Sequence, residues 1–367
     1  MDQEVHMTHT ALVEARRPAL RYAQTVTGPV RQDKLGVVLP HEHILLDLRT
    51  YHEPFYPQLS DRPVELGMLG RLRRHPTTCL DNLILDDPEL MADELAAFKQ
   101  AGGMTLVDLT CRGPQSDRAA ATSAIAAIAQ RTGLQMISAT GIFSPRFYAE
   151  ELAGKAAEDL AKEFVHDIEE GPAHQAGLIG KLEIDDPDDK LQARVLKAAA
   201  SASRRTGAPI AIACPVGQTF ERVHSHLQDG GVSPAKVLLC GMDRDMPRET
   251  RARPAELGYY LMFDGFGKEW YLRGGECRIP RDPERLRALK ELVDAGYLRQ
   301  LLISQGIDRK MLLARYGGWG YAHILRNVIP MMTRERFAPK QITTITMYNP
   351  ARVLAFIEQP APTREQA

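Results

Sequence analysis

The chain has 367 residues, a length that at roughly 150 residues per domain fits two domains or one large α/β barrel. Its 46 Lys and Arg against 47 Asp and Glu leave a net charge of −1, without the electrostatic footprint of a nucleic-acid or anionic-membrane partner. Hydrophobic content of 44% and charged content of 25% exclude fibrous and disordered classes, and no run of about 18 uncharged apolar residues is present to span a bilayer.

The N-terminal stretch lacks the roughly 7–15-residue apolar core of a secretory signal. The cysteines, Cys79, Cys111, Cys214, Cys240 and Cys277, are scattered, odd in number and form no CxxC. They read as reduced thiols, so a cytoplasmic location is expected.

Short runs rich in Val, Ile and Leu recur along the chain. Strands are predicted at 36–39, 104–110, 135–141, 177–184, 209–214, 236–241, 259–263 and 300–304. Most are apolar for several residues together, as expected when both faces of a parallel strand are covered. Amphipathic stretches at 89–100, 117–131, 154–169, 190–205, 221–228 and 283–295 lie between them. Several end in glycine, where a helix C-terminus favours one. This alternation predicts an α/β fold, a (β/α)8 TIM barrel with its active-site face at the C-terminal ends of the strands. A doubly wound open sheet is the alternative, but no GxGxxG follows the first strand. The expected organisation is an N-terminal extension at 1–34, the barrel at 35–358 with a long loop at about 51–86, and a disordered polar tail at 359–367.

The residue closing each strand is where barrel chemistry belongs. Strand 1 closes in Pro40-His41-Glu42-His43. An alternating His-x-His puts both imidazoles on one side of the strand, able to share a cation. His224-Ser225-His226 has the same spacing but sits inside a helical pattern, where a surface pair is the simpler reading. Strand 4 carries Lys181 among apolar neighbours, and a buried ammonium is costly. Three explanations stand: an ion pair, with Glu183 as partner; a Schiff-base nucleophile; or a carbamate formed with CO₂, whose two oxygens can bridge two metal ions.

The segments GVVLPHEHILLDLR, GLIGKLEI and RYGGWGYAHILRNVIP, followed by YNPARVLAF, resemble the phosphotriesterase family of the amidohydrolase superfamily, which includes lactonases and related amidases. The likeness runs from about Leu35 to Phe356. It implies a metal-dependent hydrolase with two divalent ions, most often zinc, and catalysis through a metal-bound hydroxide. By resemblance His41 and His43 bind the more buried ion, and carboxylated Lys181 bridges both. Single histidines on strands 5 and 6 hold the exposed ion, and an aspartate on strand 8 completes the buried site.

Three of these positions depart from the family: Ala213 on strand 5, Gly241 on strand 6 and Gly306 on strand 8 stand where the resemblance places His, His and Asp. Cys214 and Cys240 lie one residue away, and the parity of a strand argues against either as a substitute. Asp308 has the right parity but is expected beyond the strand end. One retained ion or none is therefore expected, and severely impaired hydrolysis. Asp243, Arg244, Asp264 and Trp270 are candidates for substrate contact or for anchoring the mouth, and Asn349-Pro350 reads as a helix-cap signal. Two functions follow: hydrolysis of a lactone, ester, amide or phosphoester, or a non-catalytic barrel kept for binding. A small-molecule substrate and a homodimer are the expected partners.

Overall fold

Runs of Leu, Ile and Val bury both faces of a strand when helices cover the outside and side chains fill the inside. The computed structural model has this arrangement; it describes residues 20–359 except 116, 149–151, 153, 245, 270 and 273–276. The eight predicted runs form strands β1 (Val38–Glu42), β2 (Thr105–Asp108), β3 (Gln135–Thr140), β4 (Leu178–Glu183), β5 (Ile210–Ala213), β6 (Val237–Cys240), β7 (Tyr260–Phe263) and β8 (Leu301–Ile303). Neighbours follow chain order within one sheet, and every pairing is parallel.

The intervening helices are α1 (Pro88–Gln100), α2 (Arg118–Thr132), α3 (Ala157–Glu169), α4 (Lys190–Thr206), α5 (Gln218–Asp229), α6 (Arg248–Glu256) and α7 (Asp282–Asp294). Aspartates cap three of them. Asp87, Asp117 and Asp189 accept backbone N–H groups that the first turns of α1, α2 and α4 would otherwise leave unpaired. Gly133 and Gly207 end α2 and α4 in the left-handed conformation. Among the described residues, no helix is long and apolar enough to cross a membrane.

Three expectations need correction. Helix α6 is additional: its charged sequence RETRARPAE, with Pro254 inside, carries little apolar periodicity. The last helical region starts at 339 and not near 351. Asn349 does not cap it; its amide donates at 2.8 Å to the carbonyls of Leu298 and Leu301 and fastens the helix to β8. The N-terminal extension, where described, carries strands. Leu20–Thr25 and Gly28–Arg31 form a hairpin, and Leu20–Tyr22 pair with the terminal strand Ile357–Gln359. The Val26 N–H bonds to the Met136 carbonyl at 2.8 Å, which ties the hairpin to the N-terminal end of β3, opposite the mouth. The remainder of the extension, 1–19, and of the predicted tail, 360–367, lies outside the described residues.

The long loop at 51–86 buries Leu59, Val64, Met68 and Leu72. It is held to the segment after β8 by Lys310–Asp81 (2.6 Å) and by the Met311 N–H on Asn82 Oδ1 (2.9 Å).

The seam between β1 and β8 is closed by one carboxylate. Glu42 is fully buried and accepts from Ser304 Oγ (2.7 Å), Gln305 N (2.9 Å) and Ile307 N (2.8 Å). Backbone bonds from Gly306 N to His41 O (2.9 Å) and from His43 N to Ile307 O (3.2 Å) flank it. Glu42→Gln keeps the shape but turns one accepting oxygen into a donor facing N–H or O–H groups. At a pH above about 7, where Glu42 is ionised, we expect a loss of about 1.5–3 kcal/mol, the range for hydrogen bonds to a charged group. The check is a lower urea midpoint at unchanged m value; an unchanged midpoint would show that the seam does not depend on this carboxylate.

Candidate metal centre

Strand alternation turns His41 and His43 to the barrel interior and Glu42 to the seam. The imidazoles meet nearly edge to face, with Nε2 atoms 3.3 Å apart. Each ring is fixed through its other nitrogen. His41 Nδ1 lies 2.6 Å from Asp264 Oδ2. His43 Nδ1 lies 2.8 Å from Thr110 Oγ1, whose hydroxyl donates to Asp108 Oδ1 at 2.5 Å. Because the Thr110 proton is committed to Asp108, His43 Nδ1 must donate; because Asp264 is an acceptor, so must His41 Nδ1. Burial lowers the pKa of both rings and Lys181 and Lys268 add to it, against Asp264 at His41 and, at His43, together with His41 and against Asp308. Their Nε2 atoms face each other at 3.3 Å, a separation at which one proton is shared between the rings or a larger cation takes its place.

Each imidazole is oriented by a partner on its far nitrogen, the way metal-ligating histidines are held, so the pair could serve as two ligands of one ion. The chain thus fits half of the metal centre that the resemblance implies.

The other predicted residues are placed as follows. Lys181 Nζ lies 3.1 Å from Glu183 Oε1 and 4.5 Å from the centre of the Phe143 ring. Burial opposes its charge, but Glu183 more than offsets this and raises the pKa; the unmodified amine is an ion-paired lysine. Asp264 closes β7 and takes, besides His41, the Gly241 N–H on Oδ1 at 2.9 Å. Burial raises its pKa, but His41, Lys268 and Lys181 outweigh that and keep it ionised. Asp308 sits between Arg309 (2.7 Å) and Lys268 (3.5 Å). Asp243 is an anchor: it accepts from the fully buried Arg285 (2.6 Å) and from Gly265 N (2.9 Å). Trp270 lies outside the described residues.

The three departing positions differ from one another. Ala213 pairs in register with Glu183 on one side and Cys240 on the other, so it shares their inward face. A Cβ on Gly306 would lie 3.2 Å from Lys268 Nζ and 3.8 Å from His41 Cε1, within the site. Gly241 does not face it. Its φ is +74°, and a Cβ there would meet the Arg244 guanidinium at 3.2 Å. The inward residue at this strand end is Cys240: its Sγ, a His41 ring nitrogen and an Asp264 oxygen lie within 4.8 Å of one another. The parity argument against Cys240 fails because the backbone turns at Gly241, so strand alternation cannot be extended through it.

Lys268 was not identified from the sequence. It follows β7 in DGFGK, a loop residue without periodicity or motif, and only folding carries it to His41. Arg285 likewise reads as one charge on an amphipathic helix, yet it accepts no solvent: it donates to Asp243, Asp282 and the Lys268 carbonyl.

Asp108 supplies a pH signature. Its Oδ2 is buried without a hydrogen-bond partner, and burial, partly offset by Thr110, raises its pKa from 3.8 to about 7. The folded chain thus keeps a proton that the unfolded chain releases near pH 4. The associated stabilisation is full below that pH and is lost as pH rises to about 7. Urea melts across this window should show stability contributed by Asp108 falling with pH, and Asp108→Asn should flatten the slope. An unaltered slope in the variant would assign the titration elsewhere.

Comparison with known proteins agrees with the barrel. The model of the phosphotriesterase family matches residues 21–354. An N-acetyltaurine hydrolase of Danio rerio is 30% identical over 349 residues, covering 91% of this chain and 97% of the relative. A phosphotriesterase-related protein of Nematostella vectensis is 30% identical over 348 residues, covering 91% and 98%. Among solved structures, a resiniferatoxin-binding protein from Rhodobacter sphaeroides superposes with a TM-score of 0.86 at 30% identity, covering 93% of this chain and 98% of that one. With the barrel, the strand-1 histidine pair and the strand-4 lysine in place, this chain belongs to the phosphotriesterase family.

Proposed function

We propose that the chain is a metal-dependent hydrolase of an amide, ester, lactone or phosphoester, with activity well below that of a complete binuclear site. The observation that carries this reading is the pair of buried imidazoles whose Nε2 atoms converge to 3.3 Å. A divalent cation, with zinc favoured by nitrogen donors, would be held by His41 and His43, with carboxylated Lys181 as a further ligand. When bound it would polarise a substrate carbonyl or phosphoryl oxygen and lower the pKa of water.

The chain's own residues have definable tasks. Asp264 holds the His41 proton on Nδ1 and leaves Nε2 as the donor of electrons. Thr110 does the same for His43 while its own hydroxyl donates a hydrogen bond to Asp108. Lys268 places positive charge beside His41, where negative charge developing on a substrate oxygen is favoured. Ala213 and Gly306 supply no donor, which supports low activity. The same two positions, with the likeness to a protein described as resiniferatoxin-binding, favour a second reading as a non-catalytic binding barrel.

N-acetyltaurine is the first substrate to test, because relatives 30% identical are named for its hydrolysis. Metal content is measured on the purified chain, and turnover is followed with added zinc, manganese or cobalt. We expect about one equivalent and slow turnover. Asp264→Asn should weaken metal binding about 10–100-fold, as loss of a partner orienting a ligand does, and His41→Ala should weaken it at least as much. Metal-independent binding of a small molecule with no turnover of any ester, lactone, amide or phosphoester would select the second reading.

A further inference from the structure

The end of β6 presents a thiol to the site. Cys240 pairs with Ala213, and Ala213 with Glu183. Residues in register across a sheet share a face, and Glu183 meets Lys181 inside the barrel, so the three side chains point inward together. Cys240 is buried, and its Sγ lies within 4.8 Å of both a His41 ring nitrogen and an Asp264 carboxylate oxygen. An ion about 2.0–2.1 Å from an imidazole nitrogen and about 2.3 Å from a thiolate sulfur joins donors up to about 4.4 Å apart, close to the spacing present. Asp264 is engaged with His41 Nδ1 and the Gly241 N–H, and the Cys240 thiol is hydrogen-bonded to the same carboxylate, so loss of the thiol proton would free the sulfur as an additional donor on this side. Gly241, which the resemblance aligns with a histidine, faces Arg244 instead.

We infer that Cys240 is a thiolate ligand of a single divalent cation that it shares with His41 and His43. The inference rests on the metal-dependent reading and adds a ligand to it. The sulfur–hydrogen bond breaks on binding, its electron pair forms the sulfur–metal bond, and the proton leaves to buffer. Two nitrogens and one sulfur select zinc or cobalt(II) over magnesium or calcium, which take oxygen ligands. The mouth thus holds one ion on a nitrogen–sulfur set, with the ammonium of Lys268 nearby.

The test uses the full chain, stripped with a chelator and titrated with cobalt(II) alone. One equivalent should bind, with a near-ultraviolet sulfur-to-cobalt charge-transfer band, and X-ray absorption of the loaded wild type should show one sulfur scatterer. Cys240→Ser should lose the band and bind cobalt at least about tenfold more weakly, the lower end of the effect of disturbing a ligand's support. Cys214→Ser should retain both. Cobalt bound at one equivalent without a sulfur scatterer, or a band that survives in Cys240→Ser, would overturn the inference and leave the histidine pair as the site. Failure of the wild type to bind cobalt would overturn both. The scattering measurement needs no variant, so a misfolded Cys240→Ser would not leave the question open.

Discussion

The site depends on the burial of one carboxylate. Glu42 sits between two histidines in sequence, but strand alternation sends it the other way, into the seam between β1 and β8. There its oxygens accept a hydroxyl and two backbone N–H groups. Burial raises its pKa to about 7 even against these three donors, which measures how fully the surrounding barrel excludes water. The seam therefore joins the two strand ends through a short, directional group that cannot slide. His41 and His43, one residue to each side, inherit that fixity, and their Nε2 atoms meet at one point.

The loop after β7 is fixed by a second buried network. Arg285, with no exposed surface, holds Asp243 and Asp282 and donates to the Lys268 carbonyl. Asp282 in turn accepts from Gly267 N (2.9 Å) and meets His323 Nε2 (2.7 Å). A buried arginine with one partner would be a liability, since removing an ion from water costs several kcal/mol. With every arm of its guanidinium engaged, it becomes a rigid support. The loop it grips carries Asp264 and Lys268 to the face of His41.

These two supports hold the strand-1 histidines and the loop after β7 in fixed relation. The orienting partners of His41 and His43 come from β2 and the end of β7. The changed positions lie at the ends of β5, β6 and β8, where the backbone turns into loops. At Gly306 and Gly241 it adopts positive φ, a region that residues with a Cβ enter at a cost. Ligand chemistry at this mouth is therefore limited by backbone conformation as well as by side-chain identity.

The strands and the histidine pair were legible in the sequence because their signals are local. An apolar run of four to six residues reports a covered strand, and two histidines two apart report a shared face, whatever the rest of the chain does. Helix α6 was not legible, since its charges mask its periodicity, and neither was the pairing of residues 20–22 with 357–359, which joins distant parts of the chain. The inward turn of Cys240, the reach of Lys268 and the burial of Arg285 also escaped. Each depends on a backbone bend, or on a partner tens to hundreds of residues away. The sequence by itself determined the barrel and its strand-1 donors, because periodicity is a property of neighbours. Only the tertiary structure decided which side chains complete the mouth, because that follows from strand closure and loop direction, which neighbours in sequence do not encode.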